Sequence, residues 1–241
     1  MEKMVDWKAV RKIRERLQKT EKGVVKGTMR NYMTVLQNDP VVQGSLRYNF
    51  LSGRIDISGQ LWWNEPPERL DDDARIYFYY YFERYYSLGN EKNMDKALRM
   101  DAGNRTYHPI CEYLEQLQWD GKERIRYVLK KYMGADDSDL VYELLKHFLM
   151  EALNRIYRPG CKADEMLCLV GPQGAGKSTF FRFLSLKDEW YSDDLRKLND
   201  SKIYEYIRGH WIIEMSEMIA AISARSIEEI KSFLTKQKDT H

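Results

Sequence analysis

The chain has 241 residues and a formal net charge of +2, and 43% of its residues are hydrophobic and 13% aromatic. This composition can supply a core, and the length allows one large domain or two small ones. A mean hydropathy of −0.65 and the lack of any apolar run near the ~20 residues of a membrane span argue against a membrane protein. Met1 opens onto a charged segment rather than a signal peptide, and the cysteines lack disulfide or zinc spacing, so we expect a cytoplasmic protein with reduced thiols.

The first thirty residues are strongly basic, with ten Lys or Arg against four Asp or Glu. Within them, WKAVRKIRERLQK has the pattern of an amphipathic helix whose basic face includes Arg11, Lys12, Arg14 and Arg16. Such a face can simply be solvated, or it can contact nucleic-acid phosphates. Both interpretations remain open from the sequence.

The region up to residue 106 predicts a mostly helical unit with a small β-hairpin. A helix in GTMRNYMTVLQ is expected to end at Asp39 and Pro40, and strand-like runs flank Ser52 and Gly53. The helix RIYFYYYFERYYSL is aromatic on all faces, which favours burial in a core over stacking on bases. A further helix is predicted in NEKNMDKALRMDAGN, and the region 1–106 is interpreted as an accessory α+β region, for which DNA binding is one of the two open interpretations.

The region 107–241 begins with three helical segments, of which the helix in DDSDLVYELLKHFLMEALNRIYRPG is the clearest. Its apolar residues recur at three-to-four-residue spacing, an Asp/Ser cluster precedes it, and Pro159 and Gly160 follow it. These helices are predicted to lead into a second, α/β domain.

The stretch Gly171–Ser178, GPQGAGKS, satisfies the phosphate-loop pattern GxxxxGK[ST] in full. Glycines let successive backbone N–H groups turn toward phosphate oxygens, Lys177 is expected to reach the outer phosphates, and the Ser178 hydroxyl to bind Mg²⁺. The run MLCLV before the loop predicts a buried strand, and STFFRFLSL after it predicts a helix, which is the context that the motif requires. The residues predicted to bind nucleotide are Gly171, Pro172, Gln173, Gly174, Ala175, Gly176, Lys177, Ser178 and Thr179. Thr179 is expected in the first turn of the helix and not at the metal.

A second acidic motif, GHWIIEMSEM, places Glu214 at the end of a predicted apolar strand and Glu217 three residues later. A carboxylate at this position can hold Mg²⁺, and a second can orient an attacking water, which favours hydrolysis over transfer to a small acceptor. The alternative is a surface strand end with solvated glutamates. Downstream, Lys231 and Thr235 are four residues apart on one face of a predicted helix.

Four stretches resemble the virulence-associated protein E family of phage and mobile-element ATPases, which is allied to superfamily 3 helicases. They are YHPICEYLEQLQWDGKERI, RPGCKADEMLCLVGPQGAGKST, GHWIIEMSEM and IKSFLTKQKD. The pattern HPxxxYLxxLxWDG is the most specific of these, because nucleotide chemistry does not require it. The similarity runs from about Gly27 to the C-terminus.

The resemblance implies an α/β fold with a P-loop NTPase core of the AAA+ and superfamily 3 helicase type. It also implies an ATPase that uses Mg²⁺, forms a ring, usually a hexamer, and acts on single-stranded or forked DNA during phage or prophage replication. By position, Glu214 corresponds to the Walker B acid, Glu217 to a residue that polarises water, and Lys231 and Thr235 to a segment near DNA or a neighbouring subunit. The family continues past the position of His241 to a sensor strand and an arginine finger, so we expect an incomplete core and slow hydrolysis by this chain alone.

Two other functions are compatible with the same residues. A nucleotide- and DNA-binding initiator or inhibitor would use ATP only to order itself and join partners. A small-molecule kinase is disfavoured, because no arginine-rich lid follows the phosphate loop.

Overall fold

The structure, a computed structural model, describes residues 5–59, 61, 63, 67–163, 165–195 and 203–215. Within these residues the chain is mixed α/β, with mostly helices and few strands. It forms two compact units, unit 1 from Met1 to Pro109 and unit 2 from Ile110 to His241. No helix of the described part combines the length and the apolar character needed to cross a membrane.

The helices of unit 1 each begin at a side chain that accepts a hydrogen bond from the backbone of the first turn, the usual role of an N-cap. They are α1 (Trp7–Arg16), α2 (Met29–Asn38), α3 (Asp72–Tyr86) and α4 (Glu91–Gly103). The caps are, in the same order, Asp6, Thr28, Asp71 and Asn90. Helix α2 therefore ends just before Asp39 and Pro40, as the sequence predicts.

A small sheet completes unit 1 and confirms the predicted hairpin. Strands β1 (Leu46–Asn49) and β2 (Arg54–Ile57) pair antiparallel, with Tyr48 opposite Ile55. Gly53, in the turn between them, has a φ of 65° that favours glycine. Strand β3 (Thr106–Tyr107) pairs parallel to β1 on its other side.

The aromatic side chains of α3 lie at the centre of the unit 1 core. Those that are almost fully buried are Phe78, Tyr81, Phe82, Tyr85 and Tyr86. Tyr77 and Tyr80 remain partly exposed, at 43% and 38%. The prediction that this helix packs in a core is therefore confirmed for one face, while Ile76, Tyr77 and Tyr80 remain exposed.

Two tyrosine hydroxyls of this core donate hydrogen bonds to the carboxylate of Asp39. The carboxylate is 2% exposed, and its Oδ2 accepts hydrogen bonds from Tyr81 at 2.7 Å and Tyr86 at 2.6 Å. Its Oδ1 accepts from the backbone N–H of Val41 at 2.9 Å. Burial, and then the adjacent Asp39 carboxylate, raise the pKa of both tyrosines, so the hydroxyls remain protonated donors.

We expect Asp39→Ala to lower the free energy of unfolding of unit 1 by about 3 to 5 kcal/mol, because it removes the buried carboxylate that accepts hydrogen bonds from two tyrosine hydroxyls and a backbone N–H. Urea unfolding followed by circular dichroism measures this change. The matched control is Asp73→Ala, which removes an exposed carboxylate from the first turn of α3 and should cost less than about 1 kcal/mol. Equal losses in the two variants would contradict a structural role for the Asp39 network.

Unit 2 consists mainly of helices, with one pair of short strands in its described part. The elements are α5 (Pro109–Glu115), which begins at the boundary, α6 (Ile125–Met133), α7 (Asp139–Tyr157), α8 (Lys177–Leu184), β4 (Tyr191–Ser192), α9 (Ile203–Ile207) and β5 (Ile212–Ile213). Strands β4 and β5 pair parallel. Leu129, Leu145 and Phe180, from α6, α7 and α8, form a buried cluster. Helix α7, capped by Ser138, confirms the clearest helix of the sequence.

The prediction of a buried strand in MLCLV is wrong. Met166–Val170 has no strand assignment, and within the described residues no strand pairs with it. Leu167 and Leu169 pack against the buried cluster, whereas Met166 and Val170 are 37% and 94% exposed. The segment is thus covered on one side only, while a strand inside a parallel sheet is covered on both.

Candidate functional site

The predicted phosphate loop is an exposed turn that leads directly into α8. All six residues from Gly171 to Gly176 are exposed, and Gly176 is the N-cap of α8. Gly174 and Gly176 each have a φ of 80°, a conformation that residues with a side chain adopt at a cost. No side chain caps α8, so the backbone N–H groups of its first turn are available to a ligand.

The space around the loop glycines is open within the described structure. A Cβ built at Gly171, Gly174 or Gly176 meets no other atom within 4 Å. The packing of the protein therefore gives no reason for small residues here. The open surface is compatible with a ligand that approaches the backbone closely.

Lys177 lies over its own loop. Its Nζ donates hydrogen bonds to the backbone carbonyl oxygens of Gly171 at 2.9 Å and Pro172 at 2.8 Å. The ammonium group is held by groups that phosphate oxygens could replace, since phosphate is the stronger acceptor for a cation. The other loop residues, Gln173 and Ala175 among them, are exposed, and Thr179 is exposed in the first turn of α8.

The structure brings Ser178 and Glu214 together, although 36 residues separate them in sequence. Ser178 Oγ, in the first turn of α8, donates a hydrogen bond of 2.7 Å to Glu214 Oε1, immediately after β5. Strand β5 is fixed by its pairing with β4, and the backbone N–H of Glu214 donates to Ser192 O at 2.7 Å. The Trp211 indole also donates to Ala152 O of α7, at 3.2 Å. The strand end is thus held at several points beside the loop.

Tyr191 is a residue of this site that the sequence reasoning missed. Its hydroxyl donates a hydrogen bond to Glu214 Oε2, so both carboxylate oxygens of Glu214 accept hydrogen bonds. Burial, and then the hydrogen bond to Glu214, raise the pKa of Tyr191, which keeps the hydroxyl a donor. No local pattern signals this role, because only the parallel pairing of β4 and β5 places Tyr191 opposite Ile212, two residues before Glu214.

The Ser178 hydroxyl and the Glu214 carboxylate are suitable ligands for Mg²⁺, which prefers oxygen atoms at about 2.0 to 2.1 Å. Adjacent ligands of an octahedral ion at that distance lie about 2.9 Å apart, close to the 2.7 Å between Ser178 Oγ and Glu214 Oε1. Among the described residues, no group of three or more His, Cys, Asp or Glu side chains could hold a metal. Mg²⁺ needs no such group, since phosphates and waters usually complete its coordination.

The other residues predicted from the sequence are either outside the described part of the chain or in unit 1. Glu217, Lys231 and Thr235 lie outside the described residues. The basic residues of α1 are exposed in unit 1; Arg14 donates to Ser87 Oγ at 3.4 Å and Arg16 to Asn38 Oδ1 at 2.7 Å. Arg11 and Lys12 are on the same exposed surface. Both interpretations of this basic face therefore remain open.

Comparison with known proteins supports the resemblance in the sequence. The model of a virulence-associated protein E-like domain matches residues 114–241. The match begins at Leu114, whereas the sequence motifs suggested a similarity from about Gly27. No curated protein matches the chain significantly. Because the matched residues make up more than half of the 241, the chain belongs to the virulence-associated protein E-like family.

Proposed function

We propose that the protein binds Mg-ATP at Gly171–Ser178 and is an ATPase, of the helicase or replication type, of a phage, prophage or mobile element. In this proposal unit 2 carries a P-loop NTPase core related to AAA+ and superfamily 3 helicases. The observation that supports it most is the hydrogen bond between Ser178 and Glu214. A chance glycine loop would have no reason to place its hydroxyl residue against a carboxylate at a strand end.

In this proposal, separate groups of residues bind the phosphates and the Mg²⁺ ion. Lys177 would leave the carbonyls of Gly171 and Pro172 and donate to the outer phosphates, while the loop N–H groups and the N-terminus of α8 hold the remaining phosphate oxygens. Ser178 and Glu214 would hold Mg²⁺, which when bound neutralises charge on the phosphates. Tyr191 would keep the Glu214 carboxylate turned toward Ser178.

Hydrolysis would break the bond between the γ-phosphorus and the oxygen of the leaving ADP, as a water oxygen bonds to that phosphorus. Most of the acceleration in such reactions comes from positioning and charge stabilisation. Glu217 is proposed to orient the water. Single-stranded or forked DNA as partner, and a homo-oligomeric ring such as a hexamer, are further parts of the proposal, with Lys231 and Thr235 near DNA or a neighbouring subunit.

The test is a titration of the chain with ATP in Mg²⁺ and again in EDTA, followed by hydrolysis assays with and without single-stranded or forked DNA. Mg²⁺-dependent binding with turnover is the expected result. Mg²⁺-dependent binding without turnover under any of these conditions would favour the nucleotide- and DNA-binding initiator or inhibitor. Absence of nucleotide binding would refute the site.

Tyr191→Phe tests the support of Glu214 without altering either proposed metal ligand. We expect the Mg²⁺ concentration for half-maximal ATP binding to rise about 3- to 10-fold, because a hydrogen bond to a charged group is lost at a partly exposed position. Affinity for ATP in EDTA should not change. Tyr206→Phe, at an exposed tyrosine of α9, is the matched control and should behave as the parent. A parental Mg²⁺ dependence in Tyr191→Phe would show that Tyr191 does not position Glu214.

A further inference from the structure

Unit 1 contains a cavity of about 630 Å³. The residues that line it precede both the phosphate loop and the matched residues 114–241 in the sequence. Four arginines line it: Arg54, Arg69, Arg75 and Arg99. This cavity is termed the arginine cleft. Its volume is within the range of about 300 to 1,000 Å³ that is typical of ligand sites.

The four arginines reach the cleft from separate parts of the fold. Arg54 begins β2, and Arg69 forms an isolated antiparallel bridge to Asp56 of the same strand. Arg75 belongs to the first turns of α3, and Arg99 to the C-terminal half of α4. Charges repeated along one helix usually form a solvated face. Here the tertiary fold collects like charges around one concave surface.

Acidic side chains balance only part of this charge. Arg75 pairs with Asp72 at 3.3 Å and with Asp95 at 3.8 Å. Asp71, the acidic residue of the wall, accepts a hydrogen bond from the Ala74 N–H and so caps α3.

The other three guanidinium groups have no such partner. Across the parts of the chain that the structure describes, the side chains of Arg54, Arg69 and Arg99 form no ion pair or hydrogen bond. All three arginines are exposed and line the same cleft. Like charges that line one cleft repel one another and attract an anion, and the planar guanidinium suits the paired oxygens of a phosphate. The Nε of Arg75, which lies 3.8 Å from Asp95 Oδ1, is buried and has no hydrogen-bond partner among the described residues.

The rest of the wall is apolar. Tyr48 and Ile55 face each other across the hairpin, and the Leu70 N–H donates to Ile55 O at 2.9 Å. All three side chains are half-buried against the unit 1 core and also line the cleft. A free inorganic anion gains nothing from such a surface, whereas a base or sugar can pack on it, and a tyrosine can stack with a base.

We propose that the arginine cleft binds a nucleoside phosphate, with the phosphate against Arg54, Arg69 and Arg99 and the base against Tyr48, Ile55 and Leu70. The ligand is either a free nucleotide or one nucleotide of a single strand, since the two present the same chemical groups. The proposal is independent of ATP binding at Gly171–Ser178.

The test uses the full chain carrying Lys177→Ala in EDTA, so that binding at the phosphate loop is suppressed. The probes are a fluorescent oligothymidylate and thymidine monophosphate. The cleft variant replaces Arg54, Arg69 and Arg99 together with Gln. The control replaces Lys22, Arg30 and Lys92 with Gln, which removes the same charge from exposed positions of unit 1 outside the cleft.

The cleft variant should bind its ligand at least about 10-fold more weakly and, for the oligonucleotide, lower the slope of log affinity against log salt by about 0.7, since the three arginines contact one phosphate and each neutralised phosphate of a single strand contributes about 0.7. The control should change the affinity less than about 3-fold. Tyr48→Leu should weaken binding without changing the salt slope, because it alters stacking and not charge. Urea unfolding checks that each variant is folded.

The two probes distinguish the sources of the ligand. Dependence of monophosphate binding on the cleft arginines would identify a free nucleotide, and dependence of the oligonucleotide alone would identify a single strand. If the cleft and control variants weaken both probes equally, or if neither affects them, the proposal is wrong. Since Mg²⁺ is absent and Lys177 is already replaced, this result does not depend on whether the protein is an ATPase.

Discussion

Lys177→Ala is expected to lower the affinity for Mg-ATP by about 10² to 10⁴-fold, because each hydrogen bond between a charged donor and phosphate contributes about 1.5 to 3 kcal/mol and Lys177 would donate two. Turnover should fall at least as much, since the same ammonium would stabilise charge on the transferring phosphoryl group. Titration calorimetry and steady-state phosphate release measure the two effects separately.

The fold should tolerate this change. Among the residues that the structure describes, Lys177 Nζ donates hydrogen bonds only to two backbone carbonyl oxygens of an exposed loop, and water can replace the ammonium at both. We therefore expect a free energy of unfolding within about 0.5 kcal/mol of the parent value. An altered unfolding curve would mean that the variant reports on folding and not on the site.

Lys146→Ala is the matched control for the charge. Lys146 is an exposed residue of α7 that pairs with Glu143 at 3.2 Å, so its loss removes the same charge from the same unit. Its effect on ATP affinity should be below about 2-fold, because surface ion pairs and distant exposed charges contribute little at physiological salt. If Lys177→Ala and Lys146→Ala bind ATP equally well, the nucleotide site is not at this loop.

Local signals were sufficient to predict much of unit 1. Helix α2 ends where Asp39 and Pro40 interrupt it, and the hairpin turns at Gly53, because these residues restrict or extend the backbone conformations available. The packing of α3 into the core followed from its many apolar residues, although Ile76, Tyr77 and Tyr80 are exposed. In each case the determining interaction lies within a few residues of the chain.

Tertiary pairing was the part that the sequence did not predict. The run MLCLV has the composition of a buried strand, yet Val170 is 94% exposed, because a strand requires partners that its own residues do not specify. Tyr191 was missed for the related reason that its role depends on the register between β4 and β5. The aspartate network of the core, with Asp39 bound to Tyr81 and Tyr86, likewise joins residues that no local pattern connects.

In the candidate site, too, the sequence predicted the residues of local motifs but not the contacts that the tertiary fold creates. The glycines, Lys177 and Ser178 were identified from a contiguous motif, and Glu214 from its place at the end of an apolar run. Their spacing could not predict that Ser178 and Glu214 lie within hydrogen-bond distance. The arginine cleft had no signal in the sequence, since its four arginines are distributed over 46 positions from Arg54 to Arg99.

Glu214→Gln is expected to lower turnover by about 10² to 10³-fold and to raise the Mg²⁺ concentration needed for ATP binding. The amide preserves the size of the side chain and can still accept a hydrogen bond from Ser178, but it lacks the negative charge that a hard cation prefers. Binding of ATP in EDTA should be unchanged or slightly stronger, because a carboxylate beside the phosphates is lost. Glu205→Gln, at an exposed carboxylate of α9, is the matched control and should leave both quantities at the parental level.

A double-mutant cycle with Ser178→Ala decides whether the two residues share one ion. If both residues bind the same Mg²⁺, removal of either ligand already weakens Mg²⁺ binding. The second substitution should then lower the free energy of Mg²⁺ binding by less than it does in the parent chain, with a coupling of about 0.5 to 3 kcal/mol. The readout is the Mg²⁺ dependence of ADP binding, which requires no turnover and so separates metal binding from catalysis. The hydrogen bond between Ser178 and Glu214 can itself produce coupling in the absence of metal, and the same cycle in EDTA measures that contribution. Coupling that is equal with and without Mg²⁺, or strictly additive effects in Mg²⁺, would contradict a shared ion. The hydrogen bond between Ser178 and Glu214 would then be a feature of the metal-free protein, and Mg²⁺ would bind elsewhere.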